Sequence, residues 1–179
     1  VSPYVALLRG INVGGKNSLP MNRLAGMLES LGCSSVRTYI QSGNVVFAAS
    51  EVLARRVPRD LSDMIRKKTR LDVPVIVRSS DEFAGAARKN PFLAADVDPK
   101  TLHIAFLADV PTPARVAGLD PGRSPPDELV VVGREIYLCL PNGVGKTRFT
   151  NAYLDAKLGT VSTLRNLRTV EKLVRLCLG

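Results

Sequence analysis

Three stretches of the 179-residue sequence hold residue types and spacings that could do chemistry. The first, Gly10-Ile11-Asn12-Val13-Gly14-Gly15-Lys16-Asn17, reads G-x-x-x-x-G-K-N. A phosphate-cradling P-loop is G-x-x-x-x-G-K-S/T, in which backbone N–H groups hold phosphates and the hydroxyl reaches magnesium. Asn17 stands where that hydroxyl belongs, so nucleotide hydrolysis is not expected. A loop that binds an anion with Lys16 as counter-charge is expected, against a plain alternative in which the glycines serve only turn geometry. The second stretch, Gln41-Ser42-Gly43-Asn44, is rich in turn formers and offers Ser42 and Asn44 as hydrogen-bonding groups. The third, Gly143-Val144-Gly145-Lys146-Thr147, fails the P-loop pattern because Leu140 lies where its first glycine is needed. It still sets Lys146, Arg148, Thr150 and Asn151 around a helix start, a secondary candidate for anion binding. Thr147 is the expected N-cap.

Other chemistries find little support. His103, the only histidine, lies within an apolar run and reads as a half-buried structural side chain. Cys33, Cys139 and Cys177 are odd in number and far apart, so they read as buried thiols in a reducing compartment. No ligand spacing for a metal is present, and no cofactor is expected. Ser42 has no nucleophile elbow around it, and no carboxylate pair is nominated for acid–base work. Catalytic residues therefore stay unassigned.

The elements that must position these stretches follow from apolar spacing. Tyr4 to Leu8 reads as a strand, and Met21, Leu24, Met27, Leu28 and Leu31 as one helix face stopped by Gly32. Val36 to Ile40 and Val45 to Phe47 form a hairpin across residues 41–44. Val57, Leu61, Met64 and Ile65 give a second helix, with Pro58 in its first turn or kinking it. Val73 to Val77 is the next strand. The order β-α-β-β-α-β is the split βαβ, or ferredoxin-like, arrangement. Its antiparallel sheet would bring the loop after the first strand, the residue 41–44 turn and the basic end of the second helix to one end. A second α+β series follows, with a helix near Asp81 to Lys89 and a strand at Leu102 to Leu107. A short helix near Thr112 to Ala117 comes next, then a hairpin over Gly133-Arg134. Helices at Phe149 to Leu158 and Val161 to Leu178 close the chain. The expected fold is α+β in two small lobes, residues 1–79 and 80–179.

Charge sharpens the choice of ligand. The sequence carries a net charge of +9, concentrated in Arg55 to Arg70 and in Leu140 to Gly179. Clustered cations favour phosphates or nucleic acid. Aromatics make up only 5% and tryptophan is absent, which removes the usual stacking platform for single strands. In the final segment Arg165, Arg168, Lys172 and Arg175 read as a solvated helix face. No apolar run is long enough to span a membrane and no signal peptide is read, so a cytoplasmic protein is expected.

The stretches YVALLRGINVGGKNSLPM, VRTYIQSGNVVF, NPF (Asn90 to Phe92) and KTRFTNAYLDAKLG resemble a bacterial family known as a domain of unknown function, numbered sixteen-ninety-seven. The similarity runs from Tyr4 to about Leu176. It implies a two-part α+β fold with a ferredoxin-like first half, and it implies no activity. The family's recurrent polar positions fall here on Arg9, Asn12, Lys16, Ser42, Asn44, Thr150, Asn151, Arg165 and Asn166. The family commonly places tryptophan where this chain has Leu167, and its second motif usually lacks the G-K-T string. The reading these observations favour is a binder of a small anionic, phosphate-bearing ligand. Its candidate residues are Arg9, Asn12, Gly14, Gly15, Lys16, Ser42 and Asn44. A nucleic-acid-binding module, an enzyme with a site between the lobes and an interaction scaffold are the rivals.

Overall fold

The structure, a computed structural model, describes residues 1–94 and 96–179. The chain forms an α+β fold of two compact units, Val1–Ala84 with Lys172–Gly179, and Gly85–Glu171.

In the first unit β1 (Ser2–Leu8), α1 (Met21–Ser30), β2 (Ser34–Tyr39), β3 (Asn44–Ala49), α2 (Glu51–Thr69) and β4 (Val75–Ser79) follow in order. The strands lie β2-β3-β1-β4, every neighbouring pair antiparallel. Period-two alternation puts Ala6, Leu8, Val45, Phe47, Ala49 and Val75 on one face, where α1 and α2 bury Leu24, Leu28, Val57, Leu61 and Ile65. Each such large apolar side chain contributes roughly 1.5–3 kcal/mol by leaving water. The second helix starts earlier than the apolar spacing predicts. Ser50 caps it by accepting from Leu53 N, so Pro58 sits in its interior and Ala54 O forgoes one bond. The other end of α2 is closed by Arg70 at φ 63°.

The helix α3 (Ser80–Arg88) opens on a reciprocal cap, Glu82 N to Ser79 Oγ at 3.2 Å and Ser79 N to Glu82 Oε2 at 2.9 Å. The second unit then holds β5 (Leu102–Leu107), α4 (Pro113–Ala117), β6 (Glu128–Val132), β7 (Glu135–Cys139), α5 (Asn151–Leu158), β8 (Ser162–Asn166) and the start of α6 (Leu167–Leu178). Its strand order, β6-β7-β5-β8, repeats the first pattern position by position, again antiparallel. Within this repeat Arg165, opposite Ile104, occupies the place that Arg78, opposite Val5, holds in the first sheet. Each arginine stands one residue before a strand-to-helix cap, Ser79 in one case and Asn166 in the other, whose Oδ1 accepts from Thr169 N at 2.8 Å.

Three expectations are corrected here. The single helix expected over Val161 to Leu178 is a strand followed by a helix. Val161, Ser162 and Thr163 are weak helix formers, and residues 162–166 register against β5 from Leu107↔Ser162 to His103↔Asn166. Arg165 thus leaves the solvated stripe. It is half-buried, its Nη1 donates to Thr163 Oγ1 and Leu164 O, both at 2.8 Å, and burial pushes its pKa down to about 10. The cap of α5 is Thr150, accepting from Tyr153 N at 3.1 Å, and not Thr147, which accepts from Phe149 N one turn earlier. Cys33 and Cys139 are buried as expected, whereas Cys177 is only half-buried.

Candidate functional site

The loop between β1 and α1 is a miniature hairpin. Asn12 N donates to Asn17 O at 3.1 Å, and Lys16 N to Val13 O at 2.9 Å. Gly14 and Gly15, at φ 57° and 73°, are the two central residues of that turn, the positive-φ pair that a type I′ turn demands. Asn17 Nδ2 ties the base of the hairpin to Gly10 O at 2.8 Å. The tip, residues 13–16, is exposed, Val13 included.

Asn12 fastens this hairpin to the rest of the unit. Its Nδ2 donates to Leu19 O at 2.8 Å and to Gln41 O at 2.7 Å, and its Oδ1 accepts from Leu19 N at 2.8 Å. Both amide protons are thus used inside the protein. The β2–β3 turn is also clamped through its backbone, because Leu8 N donates to Gly43 O at 2.9 Å. Gly43, at φ 81°, has no room for a side chain: a Cβ there would lie 2.8 Å from Leu8 Cβ and 3.1 Å from Leu8 O. Asn44 is fully buried, and its Nδ2 donates to Tyr39 O at 3.3 Å and to Ser42 Oγ at 3.2 Å. Asn44 and Ser42 therefore brace the turn. Arg9 N donates to Pro74 O at 3.1 Å, which brings the chain leaving α2 to the same end. Arg23 reaches that end too, with Nη2 donating to Lys68 O at 3.3 Å.

The expected convergence of the first loop, the 41–44 turn and the basic end of α2 is present. The roles within it differ from the expectation. Asn12, Ser42 and Asn44 hold the frame, while Lys16 and the glycine tip are what the frame presents. Of the cations near α2's last turn, Arg66 is bound to Asp72 at 2.6 Å and faces Asp63 at 3.7 Å, a pairing that raises its pKa further. Lys67, Lys68 and Arg70 stay exposed without an acidic partner among the described residues.

The second cluster is similarly divided. Thr150 is spent as the α5 cap, and Asn151 Oδ1 accepts from Ser162 Oγ at 3.2 Å. Lys146 and Arg148 are exposed. What the sequence reading missed is how the residue 121–126 loop docks here. Buried Ser124 accepts from Arg148 N at 2.9 Å and donates to Asp127 Oδ2 at 2.7 Å. Arg123 lies 4.0 Å above the Tyr153 ring, and its Nε donates to Arg148 O at 3.0 Å. Nothing in the spacing of those residues announces a contact 25 positions away. His103 is buried, with Nδ1 3.2 Å from Thr101 O, and burial lowers its pKa. Among the described residues no group of three or more His, Cys, Asp or Glu side chains could hold a metal. No helix among them is long and apolar enough to cross a membrane.

Comparison with known proteins agrees with the sequence resemblance. No curated protein matches the chain. A solved structure, that of the conserved bacterial protein SP0830 from Streptococcus pneumoniae, matches with a TM-score of 0.69 at 23% identity, covering 98% of both chains. That likeness concerns the fold. The family described as "Protein of unknown function (DUF1697)" matches residues 1–137, and the chain belongs to it.

Proposed function

We propose that the chain binds a phosphate-bearing ligand at the end of the first unit where the residue 10–17 hairpin, the 41–44 turn and the last turn of α2 meet. The observation that carries this reading is the exposed tip. Lys16 and the backbone N–H groups of Gly14 and Gly15 are held out on a hairpin whose position is fixed by three Asn12 hydrogen bonds. Donors that are already in place lose little freedom on binding an anion. Lys67, Lys68 and Arg70 add positive potential from the same end, which steers and holds phosphate. Arg9 belongs to the site through the Pro74 contact; Asn12, Ser42 and Asn44 serve it as positioning residues. Lys146 and Arg148 form a separate, weaker anion site, with Thr150 and Asn151 as its supports.

The same proposal includes the finer fold. Residues 1–79 form a ferredoxin-like split βαβ, supported by the β2-β3-β1-β4 order, and the second lobe, proposed over residues 80–179, carries the same strand pattern, with residues 80–84 and 172–179 grouping with the first unit. Unpaired cysteines fit a reducing, cytoplasmic setting.

The test is a thermal-shift screen of nucleotides, sugar phosphates and short oligonucleotides on the wild type and on Lys16→Ala. A stabilising hit that Lys16→Ala weakens supports the site. A hit retained at full strength moves binding to Lys146 and Arg148, and the absence of any hit rejects phosphate binding. Salt separates the ligand classes: affinity falling steeply with log[salt] marks a polymer spanning many charges, a shallow slope a single nucleotide.

A further inference from the structure

Two bulky aliphatic side chains stand in water at the end of the first unit that carries the candidate site. Val13 is 61% exposed and Ile40 is 51% exposed. The fold brings them near each other: Asn12 Nδ2 donates to Gln41 O at 2.7 Å, and each lies one residue from an end of that bond. Ile40 is the odder of the two. It sits at φ 50°, and among the described residues at positive φ it alone is β-branched. The β2–β3 turn needs a left-handed residue there, which asparagine or glycine supplies at little cost and isoleucine does not. Core packing does not offset that strain, because Ile40 lies outside the apolar cluster that α1 and α2 cover. Strain kept at an exposed position points to a contact beyond the chain itself.

Val13 shares the hairpin tip with Lys16. The two form an antiparallel bridge, so their side chains leave the same face of the hairpin, an aliphatic branch beside an ammonium group. Lys67, Lys68 and Arg70 are exposed at the same end. A free phosphate satisfies Lys16 and leaves Val13 and Ile40 in water. Single-stranded nucleic acid is gripped by aromatic stacking, whereas aliphatic groups set among cations match acyl chains beneath a layer of phosphates.

We propose that this end of the first unit docks on an anionic phospholipid bilayer. Val13 and Ile40 enter the boundary between headgroups and acyl chains, and Lys16, Lys67, Lys68 and Arg70 meet the headgroup phosphates. The inference rests on the phosphate-binding reading of residues 10–17 and names the source of the phosphate, a lipid headgroup. Neither contribution holds the chain alone. Two aliphatic side chains bury less hydrocarbon than one acyl anchor, which by itself gives only marginal, reversible binding. Each cation near an anionic surface multiplies affinity roughly fivefold, and physiological salt screens it beyond about 8 Å. Binding is therefore reversible, selective for anionic membranes and weakened by salt.

Co-sedimentation of the full chain with vesicles tests it. The chain should pellet with vesicles of equimolar phosphatidylglycerol and phosphatidylcholine, and stay in solution with phosphatidylcholine alone. Ile40→Asn is the decisive variant. Asparagine accepts φ 50° readily, so the urea midpoint should hold or rise while vesicle affinity falls roughly tenfold. Val13→Thr keeps the branched shape and should weaken binding several-fold, and Lys16→Ala should weaken it roughly fivefold. A thermal shift with glycerol phosphate separates this inference from the reading beneath it. That shift without vesicle binding overturns the membrane proposal and leaves the phosphate site standing; the absence of both overturns both. Vesicle binding indifferent to Ile40→Asn and Val13→Thr also overturns the proposal, since charge alone would then hold the chain. Tighter binding to a short oligonucleotide than to the anionic vesicles, at the same salt, assigns the face to nucleic acid and overturns it as well.

Discussion

Replacing Asn12 separates a framework role from a ligand-binding one. Its side chain makes three internal hydrogen bonds of 2.7 to 2.8 Å, to both backbone groups of Leu19 and to Gln41 O. At a net value of about 0.5–1.5 kcal/mol each, their loss amounts to roughly 1.5–4.5 kcal/mol. Asn12→Gly is the cleanest perturbation, because residue 12 sits at φ 54° and glycine adopts that conformation without strain. Asn12→Ala should cost about 1–2 kcal/mol more, the penalty of a Cβ in the left-handed region. Asn12→Asp keeps the acceptor for Leu19 N but turns a carboxylate toward two carbonyl oxygens, so it should be at least as damaging as glycine. The assay is urea unfolding combined with hydrogen exchange. The midpoint should fall, and protection at Leu19 N and Leu8 N should drop first, since the former bonds to Asn12 itself and the latter to Gly43 in the turn that Asn12 clamps. An Asn12→Gly protein with unchanged midpoint and protection that nonetheless loses a phosphate ligand would refute the framework role.

Three other perturbations have defined outcomes. Lys16→Ala should leave the urea midpoint within about 0.5 kcal/mol of wild type, since Lys16 is exposed, while weakening any phosphate ligand found in the screen. Gly43→Ala should destabilise by roughly 2–5 kcal/mol, because the left-handed penalty adds to a backbone collision at Leu8; Gly14→Ala, with open space around it, should cost only about 1–2 kcal/mol in parallel urea titrations. His103 has its folded pKa below the ordinary 6.5, chiefly through burial, so the unfolded state binds the proton more readily. Stability should then fall as pH drops through about 6.5, and His103→Gln should flatten that part of the pH–stability curve.

The elements of the first unit are legible in the sequence because each announces itself locally. Met21, Leu24, Met27 and Leu28 carry a helical period, Gly32 stops it, and Gln41-Ser42-Gly43-Asn44 marks the turn. The end of the second unit is not legible. Leu164, Leu167, Val170 and Val174 fit a helical period, but the first belongs to β8 and the others to α6. Only pairing with β5, some 60 residues earlier, makes residues 162–166 a strand, and that partner is invisible to a local window. The same limit hid the cap of α5, where Thr147 and Thr150 both precede a helical run and tertiary docking of Ser124 on Arg148 N chooses between them. At the candidate site, the residues that converge were legible from topology. Which of them face solvent was not, because the direction of an asparagine side chain depends on carbonyls at Leu19 and Gln41 that only the folded chain supplies.

The hairpin at residues 10–17 is stiffer than a connection between β1 and α1 requires. Gly10, Asn12, Gly14, Gly15 and Asn17 all lie at positive φ, and two of the five are not glycine. Each non-glycine residue there carries a backbone cost that an ordinary turn avoids, and both asparagines offset it with side-chain bonds that shape the loop. A plain linker gains nothing from such specification, whereas a binding tip gains a fixed direction for Lys16 and for two glycine N–H groups. The two views part on a single variant. Replacing Gly14-Gly15 with Asn-Gly keeps type I′ turn chemistry and the hairpin while adding one side chain at the tip. If the loop is only a connector, this change is silent in every assay. If the tip meets phosphate, folding is preserved and ligand affinity falls, because the new side chain stands where the glycine backbone must approach the anion.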